Sequence, residues 1–228
     1  MTTTKRILFI FSFATIMMLT SCGGSKKTEN SLTEGSIEYS AEVVDHAHPM
    51  AGLAPSTATV KFKNNKYQIE MSTMGIFNTT FISDPSKKTL SQMVKFMDIK
   101  NACIQTEADL LAESKGYELK LEEVKGTKKI AGYVCKKMKA TMINDPANTF
   151  DVYYTDELGL DSINNMGPYK QIKGMLMHYR LKKLGLEMCF TATSVKKEEI
   201  KDDAFEVPAF YKIVTRPEME QLFADIQK

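Results

Sequence analysis

The stretch "TATVKFKNNKYQIEMST", Thr57–Thr73, alternates apolar and polar residues on both sides of Asn64-Asn65. Asparagine tolerates the left-handed backbone that a two-residue hairpin turn needs at both central positions. Folding the stretch about that pair sets Phe62 against Tyr67, Val60 against Ile69 and Ala58 against Met71. The lysines and Glu70 then share the other face, since successive strand side chains point to opposite sides. The stretch reads as an antiparallel hairpin with one buried face.

The same period of two extends in both directions. In "GSIEYSAEVVD", Ile37, Tyr39, Ala41 and Val43 alternate with Glu38, Ser40 and Glu42. Further strands are expected over 77–84, 89–98, 118–125, 132–142, 150–155, 175–182 and 186–195. Turn residues such as "DPSKK" (84–88) and "NDPAN" (144–148) separate several of them. Helical signals are few. Thr106 with Asp109 and Gly116 brackets one short helix, and Thr215 with Glu218 starts another carrying Met219, Leu222, Phe223 and Ile226 on one stripe.

The fold class is α+β, mainly antiparallel β: a curled sheet or half-barrel with a few short helices, in a single β-rich domain over 35–228. So broad an apolar face, with so little helix to cover it, must close into a barrel, stack as a sandwich, or curl and leave a partly open cavity. Tyr39, Val60, Phe62, Ile69, Met138, Met177, Met188 and Phe190 would line such a cavity. A closed, packed core is the alternative. "AGLAPST" (51–57) reads as a rim or lid.

The N-terminus carries an address. Lys5 and Arg6 precede an apolar run, "ILFIFSFATIMML" (7–19), that is short for a spanning helix and shaped like a secretory signal. Leu19-Thr20-Ser21-Cys22 resembles the lipobox of bacterial lipoproteins, which implies a signal peptide over 1–21 and lipidation of Cys22. Residues 22–34 read as a flexible tether with a reach of about 20 Å. Gly23 after the cysteine points to an outer-membrane anchor facing the periplasm. The full chain has 30 Lys+Arg and 28 Asp+Glu; without Lys5 and Arg6 the charges balance. A neutral chain with interspersed charges argues against nucleic acid as a partner.

Three cysteines remain. An exported chain meets an oxidising compartment. Strand parity sets Cys135 with Tyr133, Lys137 and Lys139 and Cys189 with Glu187, Thr191 and Thr193, both on the more polar face. Cys135–Cys189 is therefore the preferred bridge, with buried free thiols as the alternative. In "DHAHPM" (45–50), His46, His48 and Met50 form a weak soft-metal candidate, and an ordinary polar loop is the competing reading. No cofactor is expected. The chain lacks G-x-S-x-G, H-E-x-x-H, Walker and G-x-G-x-x-G motifs, and no enzyme is expected.

"GTKKIAGYVCKKMKA" (126–140), "FDVYYTDEL" (150–158), the G-x-L segment "KGMLMHY" (173–179) and "FTATSVKKEEIKDDAFEVPAFYKIV" (190–214) follow in order. With Phe205, Val207, Pro208 and Tyr211 as an F-x-V-P-x-x-Y element, the second half resembles the bacterial family catalogued as domain of unknown function 4412. That resemblance implies a lipoprotein-carrier-like (LolA/LolB-like) fold around an apolar cavity. The expected function is a lipid-anchored, non-enzymatic envelope protein binding lipid or an acylated protein. The alternative is an interaction module with a closed core and a protein partner.

Overall fold

The computed structural model describes residues 32–183 and 185–226. The hairpin forms β2 (Thr57–Lys63) and β3 (Lys66–Thr73), with Phe62 opposite Tyr67, Val60 opposite Ile69 and Ala58 opposite Met71. Asn64 and Asn65 take φ of 49° and 67°, the left-handed pair the tight turn demands.

β1 (Glu34–Val43) pairs on one side of this hairpin, burying Ile37, Tyr39 and Ala41. On the other side lie β4 (Phe77–Asp84), β5 (Thr89–Phe96) and β6 (Ile99–Thr106). After α1 (Glu107–Ser114) come β7 (Leu119–Ile130), β8 (Tyr133–Met142), β9 (Asp145–Thr155), β10 (Met175–Lys183) and β11 (Leu186–Lys196). The chain ends in β12 (Lys212–Ile213) and α2 (Arg216–Ile226). β1 begins inside the stretch expected as tether, and Leu32 already packs against the core. Cys22 and the signal segment lie outside the described residues.

Among the described residues all the strands join one twelve-stranded sheet, ordered β12-β6-β5-β4-β3-β2-β1-β11-β10-β9-β8-β7 and antiparallel except for the β12–β6 pair. Its curl follows from chain length. β6 and β7 stand ten places apart, which in a flat sheet is about 48 Å. Residues 107–118 must bridge that gap, yet one short helix and four further residues reach only roughly 26 Å. The sheet therefore curls until α1 can cross between its two ends, and it stays open because β7 and β12 remain unpaired edges.

Three segments cover the sheet. Residues 158–172 lie inside the curl, where Leu158, Leu160, Ile163, Tyr169 and Ile172 join the main core with Tyr39, Tyr179 and Phe190. Asn164 holds this plug, donating from Nδ2 to the carbonyls of Ile172 (3.0 Å) and Gly174 (2.7 Å). Near the β12 edge, Ile200 and Phe205, with Val207 and Tyr211, pack on Ile82, Met93 and Ala102. The chain then rounds the edge as β12, and α2 lays Met219 and Phe223 on Val94 and Cys103, the opposite face. Both helices start as their sequences require. The Thr106 hydroxyl accepts from the Asp109 N–H while the Asp109 carboxylate accepts from Thr106, and Thr215 donates to Glu218.

The strand expected over 89–98 forms as β5, while β6, which lies between β5 and β12, is a strand the sequence reading does not include.

Candidate ligand-binding cavity

The concave face is not filled throughout. A cavity of about 200 Å³, partly open to solvent, lies between the plug and the two helices. Its floor carries Tyr67, Ile69 and Met71 from β3, Phe81 from β4 and Leu90 from β5. Cross-strand register places these together, since Ile69 faces Phe81 and Met71 faces Thr79. Tyr179 and Leu181 of β10 and Met188 and Phe190 of β11 continue the floor. The walls are Leu53 and Pro55, Met166 to Pro168 of the plug, Leu110 of α1, and Phe223 of α2. A narrower void of about 90 Å³ shares Tyr67, Ile69 and Tyr179 with the first and continues it beneath the plug.

Aromatic packing fixes the inner wall. Tyr179 stacks on Phe190, with centroids 5.3 Å apart at 23°, and receives Tyr39 and Tyr169 edge-on at 6.0 and 5.8 Å. Two of these phenols have internal partners. The Tyr39 hydroxyl donates to the Leu176 carbonyl at 2.7 Å, beside the β10 bulge, and Tyr169 donates to the Arg180 carbonyl. Burial pushes both phenols well above the ordinary range. Polar groups collect where α1 meets the end of β10: Glu113, Ser114, Lys182 and Lys183 line the cavity there.

The structure divides the eight residues expected to line a cavity. Ile69, Met188 and Phe190 line the main space, and Tyr39, Val60 and Ile69 line its extension. Phe62, Met138 and Met177 are instead packed in the core, as the plug occupies the part of the curl that would otherwise be open. The 51–57 rim is where it was expected, with Leu53 and Pro55 on the wall. Phe81, Tyr179 and Leu181 were missed, although carrying the hairpin register across to the next strands points to them. Leu110 and Phe223 arrive from helices and leave no such signal.

The cysteine pair does not come together. Cys103, Cys135 and Cys189 are all free thiols. Cys135 lies on β8 and Cys189 on β11, with β9 and β10 between them. Strict alternation breaks down on β8, where Cys135 and Met138, three residues apart, are both buried beside the β7 bulge between Glu123 and Thr127. Burial pushes the Cys135 thiol up to about 11. Nor do His46, His48 and Met50 converge. His46 is exposed, Met50 turns into the cavity wall, and His48 Nδ1 accepts from the Met50 N–H at 3.1 Å.

Cys189 instead neighbours His178, with Sγ 4.0 Å from Nε2, while His178 Nδ1 lies 2.8 Å from Thr191 Oγ1. Burial, then the positive charges of Lys128 and Arg180, depress the His178 pKa against the smaller opposing pull of Asp151 and Glu42. A depressed histidine gives stability that is fully present above its unfolded pKa, about 6.5. That stability is lost as pH falls through the lower folded value. Unfolding midpoints in urea at pH 7.5 and pH 5 should therefore fall further for the wild type than for His178→Gln. Equal falls would remove His178 from the pH response.

Fold and cavity together define an open, curled antiparallel-sheet domain with an apolar hollow on its concave side. Residues 43–212 match the family model described as "N-glycanase peptide, N-terminal domain", and the chain belongs to that family. Among solved structures, PNGF-II in its C2 crystal form aligns with a TM-score of 0.52 at 15% identity, over 85% of this chain and 33% of that one. Its P21 form gives 0.52 at 14%, over 83% and 33%. The chain thus spans about a third of PNGF-II, and the likeness is one of fold. The MucA/MucB complex of Pseudomonas aeruginosa aligns with a TM-score of 0.33 at 13% identity, over 80% of this chain and 58% of that one. No curated protein matches the chain.

Proposed function

We propose that this chain is a lipid-anchored, non-catalytic envelope protein whose curled sheet holds the apolar chain of a lipid or an acylated protein. The observation that carries the reading is the apolar cavity itself, roofed by a plug and two short helices and open to solvent beside a charged rim. Size narrows the occupant. About 200 Å³ exceeds the roughly 150 Å³ that admits benzene in an engineered core but falls below the roughly 300 Å³ of small drug-sized pockets. With its extension it suits one acyl chain segment rather than a whole two-chain lipid.

A non-catalytic role fits the reactive groups in view. Burial raises the Cys103 and Cys135 thiols above their ordinary range, which opposes ionisation to the nucleophilic thiolate. The charged pair at the cavity rim, Glu113 and Lys183, is mutually neutralised. The lipobox cysteine, Cys22, would supply the anchor, outer-membrane and periplasm-facing by its Gly23 neighbour. The resemblance of the second half to domain-of-unknown-function 4412 chains, often found on secreted or lipid-anchored proteins, supports export and anchoring.

The test is uptake of the neutral fluorophore N-phenyl-1-naphthylamine by folded, delipidated protein. One saturable site is expected. Ile69→Trp, which fills space shared by both voids, should weaken uptake at least roughly tenfold while the thermal midpoint moves little. Wild-type protein that takes up no probe would end the cavity reading.

A second reading, docking of a protein partner, is favoured by one surface. Phe210 and Ile213 stand 66% and 58% exposed near the open β12 edge, with Lys100 Nζ 4.9 Å over the Phe210 ring.

A further inference from the structure

The cavity's charged groups form a device of their own. Lys183 Nζ lies 2.7 Å from Glu113 Oε2, tying the end of β10 to α1. Their side chains keep 23% and 24% of their surface exposed, so the pair stands at the boundary between apolar interior and water. Lys183 Nζ also sits 5.6 Å above the ring of Phe81, a residue of the cavity floor. The ammonium therefore already overlooks the space an apolar chain would fill. Exposed Lys182 adds a second positive charge to the same rim.

The carboxylate has a second partner. Gln105 Nε2 donates to the same Glu113 oxygen at 3.4 Å, and Gln105 is only 4% exposed. Glu113 can leave Lys183 and still keep a donor, which lowers the cost of separating the pair. Lys183 keeps less than a quarter of its side chain exposed and faces the Phe81 ring, so an anion beside it stabilises its charge there. A ligand that takes Lys183 from Glu113 does so most favourably with a negative charge of its own.

Resting on the cavity reading above, we infer that the site selects single-chain amphiphiles with an anionic head, which replaces Glu113 on Lys183 while the chain lies over Phe81 and Leu90. A neutral head cannot compensate Lys183 and must bind with the ion pair intact. A cationic head meets two lysines. The shared chemistry is an anion on one acyl chain, whether a fatty carboxylate or a lipid phosphate.

The experiment is displacement of bound N-phenyl-1-naphthylamine from the full chain by dodecanoate, dodecyl phosphate and dodecanol. It is run on wild type, Glu113→Gln and Lys183→Met. Wild type should bind at least one anion roughly tenfold more tightly than dodecanol. Glu113→Gln, which removes the competing charge but keeps a similar shape, should raise the preference for anion over dodecanol roughly threefold. Lys183→Met should bring both anions and dodecanol to similar affinity, the ratio rather than the absolute affinity being the readout. The anion that gains more identifies a carboxylate or a phosphate source. If dodecanol matches both anions in all three proteins, head-group selection is overturned and the cavity reading survives. If nothing displaces the probe although the probe binds, amphiphile uptake and head-group selection both fail.

Discussion

Replacing Phe62 with alanine lowers the unfolding free energy by about 3–5 kcal/mol. Phe62 is fully buried near the middle of the sheet, opposite Gly35 on β1 and Tyr67 on β3. A side-chain carbon built on Gly35 would stand 3.3 Å from Phe62 Cζ, so the ring lies directly against bare backbone. Ladder hydrogen bonds on both sides hold those strands at their spacing, and the strands cannot close over the missing ring. The void therefore adds its own cost to the lost transfer energy. Phe210→Ala is the matched control: the same deletion at 66% exposure should change stability by no more than about 0.5 kcal/mol. Denaturant midpoints at unchanged slope read both values. Equal losses would refute the placement of Phe62 in the core. Because Phe62 does not line the cavity, folded Phe62→Ala protein should still take up the fluorophore.

The hairpin around Phe62 was legible because every local requirement agreed: alternation, two turn asparagines and paired residues of like character. Both helix caps were legible for the same reason. β6 was not. Its neighbours Ala102 and Cys103 are both buried, as are Met93 and Val94 on β5, because the 200–211 segment covers one face and α2 the other. A strand buried on both faces loses the period of two that announces it. The F-x-V-P-x-x-Y element was visible in sequence, but its work, covering the convex face beside Ile82, depends on contacts more than a hundred residues away. The plug at 158–172 has no periodicity either, and its path decides which apolar residues face a hollow and which face protein. Met138 and Met177 look like cavity lining in sequence for that reason. Their faces were apolar, and nothing local distinguishes an apolar face that is covered from one that is open.

Gly174→Ala should destabilise the protein by about 3 kcal/mol or more. Gly174 has φ of +134°, which side chains rarely adopt, and a carbon added there would stand 2.4 Å from the Thr155 carbonyl oxygen. Thr155 is itself fully buried and pairs with Met175, so neither backbone can give way cheaply. This is the glycine of the G-x-L segment, and its role is close approach of two chains where β10 enters the sheet. Gly132→Ala separates the two causes. Its φ is also positive, at +92°, but an added carbon meets nothing within 4 Å, so it carries conformational strain alone, about 1 kcal/mol. A Gly174→Ala loss no greater than that of Gly132→Ala would show that the collision is relieved at little cost. The consequence reaches the cavity. The Gly174 carbonyl accepts from Asn164, which holds the plug, and Met166 to Pro168 of the plug form one wall. Fluorophore binding by Gly174→Ala should therefore weaken even at temperatures where circular dichroism still reports a folded sheet. Unchanged binding there would mean that the wall is set by the sheet and not by the plug's attachment.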